Sequence, residues 1–355
     1  MTSGNMQPTR TGGGVVPAPA GYTGAAAGRP VLRLGTRGSE LALAQSMLVA
    51  TWLRERLGCQ VDLVQVVTAG DRSRKAISQI GGTGVFVSAL RDALLAGDID
   101  LAVHSLKDLP TALPDGLVIA AVPPRADPRD VIVMPGGRML SEFEPGTRVG
   151  TGSPRRAAQL RALGLGLNVV PIRGNVDTRI KKAIDGAVDA VVLAHAGLDR
   201  LDRLDAVTEV LDADVMVPAA GQGALAIECV GDPTALNGLS DPVDLSRCKG
   251  TLPELLRFAL DDPASRTAVA AERAYLAAIE AGCSTPVGAL ADVQVTPDGT
   301  IAAGSIQLRA VVASPEGNGV LRRVVTGPAD HPEALGERLA DEMLSAGAHT
   351  LMGNC

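Results

Sequence analysis

Residues 148–193, RVGTGSPRRAAQLRALGLGLNVVPIRGNVDTRIKKAIDGAVDAVVL, alternate short Val-rich runs with amphipathic stretches. Gly, Pro, Ser and Asn stand at the junctions between them. This alternation favours parallel strands covered by helices, so the segment predicts an α/β domain. The predicted strands cover 148–150, 168–172 and 188–193, and the predicted helices cover 154–163 and 176–184.

The same pattern extends to both sides of this segment, and the C-terminal part of the chain changes character. Residues 289–295 and 304–314 alternate apolar with other residues and flank Pro297-Asp298-Gly299, which indicates a hairpin. The sequence therefore predicts two α/β domains followed by a smaller α+β domain. Further strands are predicted at 31–36, 61–68, 100–106, 131–134 and 224–229, and further helices at 40–57, 85–96, 264–281 and 332–346.

Composition excludes several classes of protein. With 46% hydrophobic and 20% charged residues the 355-residue chain is globular, and its length calls for more than one domain. No apolar stretch reaches the length of a membrane span, and the Gly/Ala/Pro-rich residues 1–28 lack the pattern of a secretory signal and predict a disordered extension. Five scattered cysteines form neither a disulfide framework nor a zinc motif, so we expect a cytoplasmic protein.

Charge is distributed unevenly along the chain. A net charge of −6 and an aromatic content of 2% argue against a nucleic-acid partner, which would need basic surface and stacking platforms. Residues 147–182 nevertheless carry eight basic side chains and one acidic one, Asp177, which predicts a defined anionic ligand. The basic residues are Arg148, Arg155, Arg156, Arg161, Arg173, Arg179, Lys181 and Lys182.

Three predicted strand-to-helix turns carry arginines. In the turn 151–156, TGSPRR, Ser153 suits the N-cap and Pro154 suits the first helical position. Free N–H groups and the helix dipole at such a turn attract anions, and arginine binds carboxylates through two hydrogen bonds. Residues 173–179 and 36–39 repeat the arrangement, at the strand ends where open α/β sheets bind ligands. The alternative is a set of well-capped surface helices with solvated arginines.

Polar residues also end the predicted buried strand in VHSLKDLP, residues 103–110. Asp108 stands where a carboxylate could stabilise a developing cation or move a proton, whereas a surface ion pair with Lys107 is the alternative. His104 lies among apolar residues and is expected to be a core histidine. The histidines at positions 104, 195, 331 and 349 lack metal-ligand spacing, and no metal is expected.

Cys283 follows the end of the helix predicted at 264–281, with Gly282 as a possible C-cap. A small buried cysteine is the common meaning of such a position. A nucleophile would need a base or a lowered pKa, and no Cys/His pair can be proposed from the sequence. Covalent attachment of a group needs only an exposed and reactive thiol, and stays open.

Taken in order, nine segments resemble the porphobilinogen deaminase family, also called the hydroxymethylbilane synthase family. They extend from about Leu32 to Gly288, and the match beyond Gly288 is weaker. The segments are LRLGTRGSELALAQ, IGGTGVF, AVHSLKDLP, DPRD, VGTGSPRR, IRGNVDTRI, LAHAGLDR, PAAGQGALAIEC and AERAYLAAIEAGCSTPVG.

The resemblance implies an enzyme that condenses four porphobilinogen molecules head to tail, releases ammonia and hydrolyses the product to hydroxymethylbilane. It implies a dipyrromethane cofactor bound to Cys283 through a thioether, which the apoenzyme assembles from substrate or product. Because porphobilinogen carries an acetate and a propionate, a pyrrole chain is a polycarboxylate, which accounts for arginine-rich turns in an acidic protein.

The family's pattern carries over to individual residues. Asp108 matches the catalytic aspartate, which would hydrogen-bond pyrrole N–H groups, stabilise the cation left after ammonia departs and help proton transfer. Phe86 matches a position near the pyrroles, with core packing as the alternative. The residues implied to hold carboxylates of cofactor or substrate are Arg37, Ser39, Gln45, Ser105, Lys107, Thr151, Ser153, Arg155, Arg156, Arg173, Arg179, Arg200 and Gln222.

The family's architecture implies two doubly wound α/β domains in a clamshell like that of periplasmic binding proteins, followed by a small C-terminal α+β domain. We expect domain 1 at 29–127 and 218–245, domain 2 at 128–217 and domain 3 at 264–355. A monomer without nucleic-acid or membrane partners is expected. The competing hypotheses are a non-catalytic carboxylate-binding clamshell protein, in which Cys283 and Asp108 would have no role, and a nucleic-acid binder.

Overall fold

The structure is a computed structural model that describes residues 31–66, 84–231, 251–281, 285–296 and 301–352, without the side chains of 84–86 and 302–305. The predicted extension 1–28 lies outside these residues, as do most of 232–262 and the Pro297-Asp298-Gly299 turn. None of the helices in the described ranges combines the length and the apolar character that a membrane crossing needs.

The first sheet has five strands in the order β2-β1-β3-β10-β4. Helix α1 begins at the Ser39 N-cap and ends at Gly58, whose φ of 64° is the left-handed conformation that favours glycine. α1 and α2 pack on separate apolar clusters, which shows that helices cover both faces of the sheet. The elements are β1 (Val31–Thr36), α1 (Glu40–Leu57), β2 (Gln60–Gln65), α2 (Gly84–Leu95), β3 (Leu101–Ser105), β4 (Leu117–Ala121) and β10 (Leu225–Val230).

The second sheet repeats this topology with the order β7-β6-β8-β5-β9. Its helices α3 and α4 also pack in different apolar clusters. Both sheets are therefore doubly wound, as the family resemblance implies. The elements are β5 (Asp130–Val133), β6 (Arg148–Thr151), α3 (Pro154–Ala162), β7 (Asn168–Pro171), α4 (Val176–Ile184), β8 (Ala190–Ala194), α5 (His195–Arg200) and β9 (Glu209–Val210).

Each sheet contains one strand that arrives after the chain has crossed from the other sheet. β5 pairs antiparallel with β8 and β9, and β10 pairs antiparallel with β3 and β4. The two crossing segments, residues 122–129 and 217–224, lie side by side, and the Ala126 N–H donates to the Gly223 carbonyl over 3.3 Å. Gly223 has a φ of 87°, and a Cβ there would collide with the Ala126 carbonyl. Only glycine permits so close an approach of the two backbones.

The third sheet, β11-β12-β13, packs against helices around Tyr275, which is fully buried. The helix predicted at 264–281 ends at Ala278, because Glu280 takes a left-handed φ of 54°. The hairpin strands predicted at 289–295 and 304–314 are the antiparallel pair β11 and β12. The elements are α7 (Pro263–Ala278), β11 (Val287–Val295), β12 (Ile301–Ala313), β13 (Val320–Gly327), α8 (Pro332–Ser345) and α9 (Ala348–Met352).

Three of the described helices have no counterpart in the sequence prediction: α5, α9 and a helix at Leu252–Leu260. α6 (Leu252–Leu260) begins at a capping box between Thr251 and Glu254 and buries Leu256 and Leu260 in the core of the first sheet. The segment between β10 and α7 therefore contributes a helix to the apolar core of the first sheet.

Candidate functional site

Three helices begin at the carboxyl ends of parallel strands, and each start is capped by a side chain. Ser39 follows β1 and accepts from the Ala42 N–H, Ser153 follows β6 and accepts from the Arg156 N–H, and Asn175 follows β7. All three turns are those that the sequence predicts as anion sites. The buried Thr151 ends β6, and its hydroxyl accepts from the Ser153 N–H over 3.2 Å.

Asp130, at the start of β5, is fully buried and joins the two arginines of the 151–156 turn. Arg155 donates to Asp130 Oδ2 over 2.8 Å, and Arg156 donates to Oδ1 over 2.7 Å. Both guanidiniums also donate to backbone carbonyls, that of Val217 for Arg155 and that of Val192 for Arg156. Burial opposes ionisation of Asp130, but the two arginines outweigh it and hold the pKa of this carboxyl well below its usual value. Arg155 and Arg156 thus form an internal ion-pair cluster at the site.

Gln222 and Lys107 connect this cluster to the first sheet. Gln222 is buried and donates to Asp130 Oδ1 over 2.8 Å, while its Oε1 accepts from Lys107 Nζ over 3.2 Å. Burial, together with the positive charge of Arg156, lowers the pKa of Lys107 to about 8. The carboxyl end of β3 and the start of α3 therefore meet at one positively charged centre, across the two crossing segments.

Further cations lie around this centre. Arg179 is half-buried and donates to the Gly174 carbonyl, and burial with the charges of Arg156 and Arg173 lowers its pKa. Arg200, in α5, donates to the Gly223 carbonyl over 2.5 Å, and burial lowers its pKa to about 10. Arg173 is exposed at the end of β7.

The polar residues of the first sheet are near the end of β3. Ser105 ends this strand, and its hydroxyl accepts from Gln45 of α1 over 2.9 Å. Asp108 closes the short 3-10 turn Leu106–Asp108; its carboxylate is exposed and has no hydrogen bond or ion pair with the described residues. Arg37 is half-buried just after β1. His104 is buried with its Nε2 atom 3.1 Å from Glu228, as a core histidine should be.

Two predicted site residues cannot be placed. Cys283 lies outside the described residues, and so does the side chain of Phe86. The roles predicted for the other residues stay predictions, because no ligand defines them. Within the described ranges, no group of three His, Cys, Asp or Glu side chains is arranged to hold a metal ion.

The sequence prediction missed the buried carboxylates that organise this region. Asp130 is one, and Glu272 of α7 is another. Glu272 accepts from Arg125 over 2.6 Å and from the Gly221 N–H over 2.6 Å, so it links both crossing segments to the third domain. The adjacent arginines of the 151–156 turn were a signal that a buried counter-ion was needed, but the sequence did not say which acid supplies it.

Among solved structures, the chain is similar to the methionine-binding protein MetQ, with 12% identity, a TM-score of 0.37 and coverage of 60% of this chain and 89% of that one. It is also similar to the periplasmic VFT2 domain of BvgS from Bordetella pertussis, with 17% identity, a TM-score of 0.35 and coverage of 62% and 93%. Scores this low add nothing to the topology described above.

Sequence relatives are much closer. "Porphobilinogen deaminase 1" of Streptomyces coelicolor is 52% identical over 330 residues, which cover 91% of this chain and 97% of the relative. The relative of the same name in Streptomyces avermitilis is 53% identical over 335 residues, with coverage of 91% and 97%. "Porphobilinogen deaminase" of Mycobacterium tuberculosis is 48% identical over 325 residues, with coverage of 91% and 98%.

Two family profiles match in succession along the chain. "Porphobilinogen deaminase, dipyromethane cofactor binding domain" matches residues 32–237, and "Porphobilinogen deaminase, C-terminal domain" matches residues 266–345. The first match alone spans more than half of the chain and includes both α/β sheets. The chain belongs to the porphobilinogen deaminase family.

Proposed function

We propose that the positively charged centre between the two sheets, together with Asp108, carries out the reaction of this family. That reaction joins four porphobilinogen molecules head to tail on a dipyrromethane primer, releases ammonia and frees hydroxymethylbilane by hydrolysis. The observation that supports this assignment is the position of an exposed carboxylate, Asp108, next to the half-buried Lys107 of the cationic cluster.

The residues present fit a polycarboxylate such as dipyrromethane. Burial lowers the pKa values of Lys107, Arg179 and Arg200, so each is a cation that would gain from a nearby carboxylate. Asp130 already accepts hydrogen bonds from Arg155, Arg156 and Gln222. The carboxylates of the ligand would be the partners of the remaining cations. When bound, the cofactor would supply the pyrrole to which the first substrate is joined.

We assign distinct tasks to the side chains. Lys107, Arg173, Arg179 and Arg200 would bind carboxylates, while the Ser153 turn would present backbone N–H groups to one of them. Arg155 and Arg156 would remain paired with Asp130 and attract a carboxylate through their positive charge. Asp130 keeps both guanidiniums at the buried start of α3. The remaining predicted contacts are Arg37, Ser39, Gln45, Ser105, Thr151, Gln222 and Phe86.

Asp108 would stabilise the positive charge that develops on the substrate as ammonia leaves. A carboxylate fixed at a strand end, in a cleft that the ligand closes to water, is suited to that electrostatic task. It would also accept hydrogen bonds from pyrrole N–H groups and take part in proton transfer. Its lack of a partner among the described residues leaves its oxygens available for these tasks.

We further propose that Cys283 carries the cofactor through a thioether and that the domains extend as the sequence predicts. The protein would act as a monomer in the cytoplasm, without a nucleic-acid partner. Cys59 and Cys229, the cysteines of the described core, are both free thiols, which suits a reducing compartment.

The test is the intact mass of the purified protein, followed by peptide mapping around Cys283. The expected result is a mass excess of two linked pyrrole units on that residue, and a folded but cofactor-free Cys283→Ser variant. If Cys283 is unmodified, incubation with porphobilinogen should add the adduct. A protein that binds porphobilinogen but never gains a covalent pyrrole would instead be a carboxylate-binding protein.

A further inference from the structure

Arg273, in the middle of α7, holds the backbone that follows Asp108. Its guanidinium donates to three carbonyl oxygens in succession, those of Leu109 over 3.2 Å, Pro110 over 2.8 Å and Thr111 over 3.0 Å. These three residues come directly after the 3-10 turn that ends in Asp108. A side chain of the third domain therefore fixes the path of a first-domain loop.

We propose that Arg273 is a positioning residue for Asp108, which it acts on through the backbone of residues 109–111. The proposal rests on the role assigned to Asp108 in the proposed function. It gives the third domain a part in the reaction that is separate from holding the cofactor.

The loop is held from both sides, which gives the contact its consequence. On the strand side, the Leu109 N–H donates to the Leu106 carbonyl and closes the turn, and the Leu109 side chain is buried. On the opposite side, Arg273 donates hydrogen bonds to the carbonyls of the three residues that follow the turn. Asp108, whose carboxylate is exposed, lies at the end of the turn directly before the residues that Arg273 holds.

The partners of Arg273 argue for a positional task. Among the described residues its acceptors are all neutral carbonyls, while the nearby buried carboxylate of Glu228 is hydrogen-bonded to Arg91 over 3.0 Å. Burial and the charge of Arg91 lower the pKa of Arg273, so the contact with the loop is made at an electrostatic cost. A half-buried guanidinium whose described partners are three consecutive carbonyls is suited to fixing a backbone, since its planar fork reaches several acceptors at once.

The test compares Arg273→Gln and Arg273→Lys with Arg266→Gln in the holoenzyme. Arg266 is a matched control because it lies on the same helix and also donates to a backbone carbonyl, that of Ala120 over 2.8 Å, away from Asp108. Turnover is normalised to the covalent cofactor content measured by mass. A displacement of about 1 Å at a reacting group can cost about 100-fold in rate. We therefore expect Arg273→Gln to lower kcat by about 10- to 100-fold, with a KM within about threefold of the wild type.

Arg273→Lys should recover part of the lost kcat, because one ammonium can replace some of the three contacts. Arg266→Gln should leave kcat per cofactor unchanged even if its Tm falls. In an Asp108→Glu background, where the carboxylate is already displaced, Arg273→Gln should cost much less than in the wild type.

Three outcomes would overturn the proposal. They are an Arg273→Gln enzyme with a normal kcat per cofactor, equal losses of kcat in Arg273→Gln and Arg266→Gln, and full additivity with Asp108→Glu. A normal turnover of Asp108→Ala would instead remove the assigned role of Asp108 itself, so the two failures can be told apart.

Discussion

A single buried carboxylate, Asp130, organises the cationic side of the site. It neutralises part of the charge of Arg155 and Arg156 and accepts from Gln222, which in turn accepts from Lys107. Through this set of hydrogen bonds the start of α3, the second crossing segment and the end of β3 are held in one arrangement.

Asp130→Ala should destabilise the protein by about 3–5 kcal/mol, because it leaves two buried guanidiniums without their counter-ion. Asp189→Asn is the matched control, since it removes a carboxylate from Arg148 in a solvent-accessible pair, and its loss should be much smaller. Urea denaturation of both variants measures the difference. Equal losses would mean that the Asp130 cluster contributes no more than a surface ion pair.

The lowered pKa of Lys107 predicts a pH dependence of stability. The native state has a pKa of about 8 for this amine, below the ordinary value of 10.5 that it has in the unfolded chain, so between these values the unfolded state binds more protons. The free energy of unfolding should then rise with pH across this window relative to that of Lys107→Met. The comparison uses apoprotein, because a bound carboxylate would raise this pKa, and a pH-independent difference would contradict the prediction.

At the scale of strands and helices, the crossing segments are the elements on which the two α/β units depend. They run side by side at Ala126 and Gly223, where the backbones are too close for a Cβ. The Gly223 carbonyl also accepts from Arg200, so one glycine connects the crossing to the cationic side chains.

Gly223→Ala should therefore cost more stability than a left-handed glycine elsewhere. Gly97, with a φ of 74° and open space around its Cα, is the matched control; Gly97→Ala should cost about 1–2 kcal/mol from backbone strain alone. Gly223→Ala adds the collision with the Ala126 carbonyl, and its Tm should fall further. Equal shifts in Tm would show that the crossing relaxes without cost.

The sequence predicted best those elements whose ends are set by neighbouring residues, such as an N-cap or a first-turn proline. The helix start at Ser153-Pro154 coincides with that of α3, because an N-cap and a first-turn proline act within a few residues. α6 was missed although Thr251 and Glu254 form a capping box, since the helix is short and follows a stretch rich in Gly and Pro.

The site residues were harder to predict for a physical reason. The arginine-bearing turns carry local signals, so the sequence could predict them. The ion pair of Arg155 with Asp130 joins positions 25 apart, and the hydrogen bond of Gln222 with Asp130 joins positions 92 apart. Such partners depend on the packing of the whole fold, which no local pattern specifies.

At the scale of the whole molecule, the third domain holds the other two together. Glu272 of α7 is fully buried and accepts from Arg125 and Gly221, one residue on each crossing segment. On the side of the second sheet, Arg309 donates to Asp214 over 2.7 Å, and Arg322 donates to the Asp214 carbonyl. Relative motion of the two α/β units therefore has to occur with the third domain attached to both.

Glu272→Ala should destabilise the protein by about 3–5 kcal/mol, because Arg125 loses its buried partner and the Gly221 and Ala291 N–H groups lose their acceptor. Asp214→Asn is the control for an exposed contact between domains, and should cost less than about 1 kcal/mol. Calorimetry should show a much larger fall in Tm for Glu272→Ala than for Asp214→Asn. A Glu272→Ala protein as stable as Asp214→Asn would remove Glu272 as the link between the crossings and the third domain.

The exchange of one strand between the sheets has a consequence for how the chain is made. The second sheet is built from β5 to β9, so all its strands have been synthesised once Val210 has left the ribosome. The first sheet contains β1 but needs β10, which lies between β3 and β4 and is complete only with Val230. The first sheet therefore begins earlier along the chain than the second sheet and is completed later. During translation β3 and β4 have no strand between them until the whole of the second sheet has been synthesised.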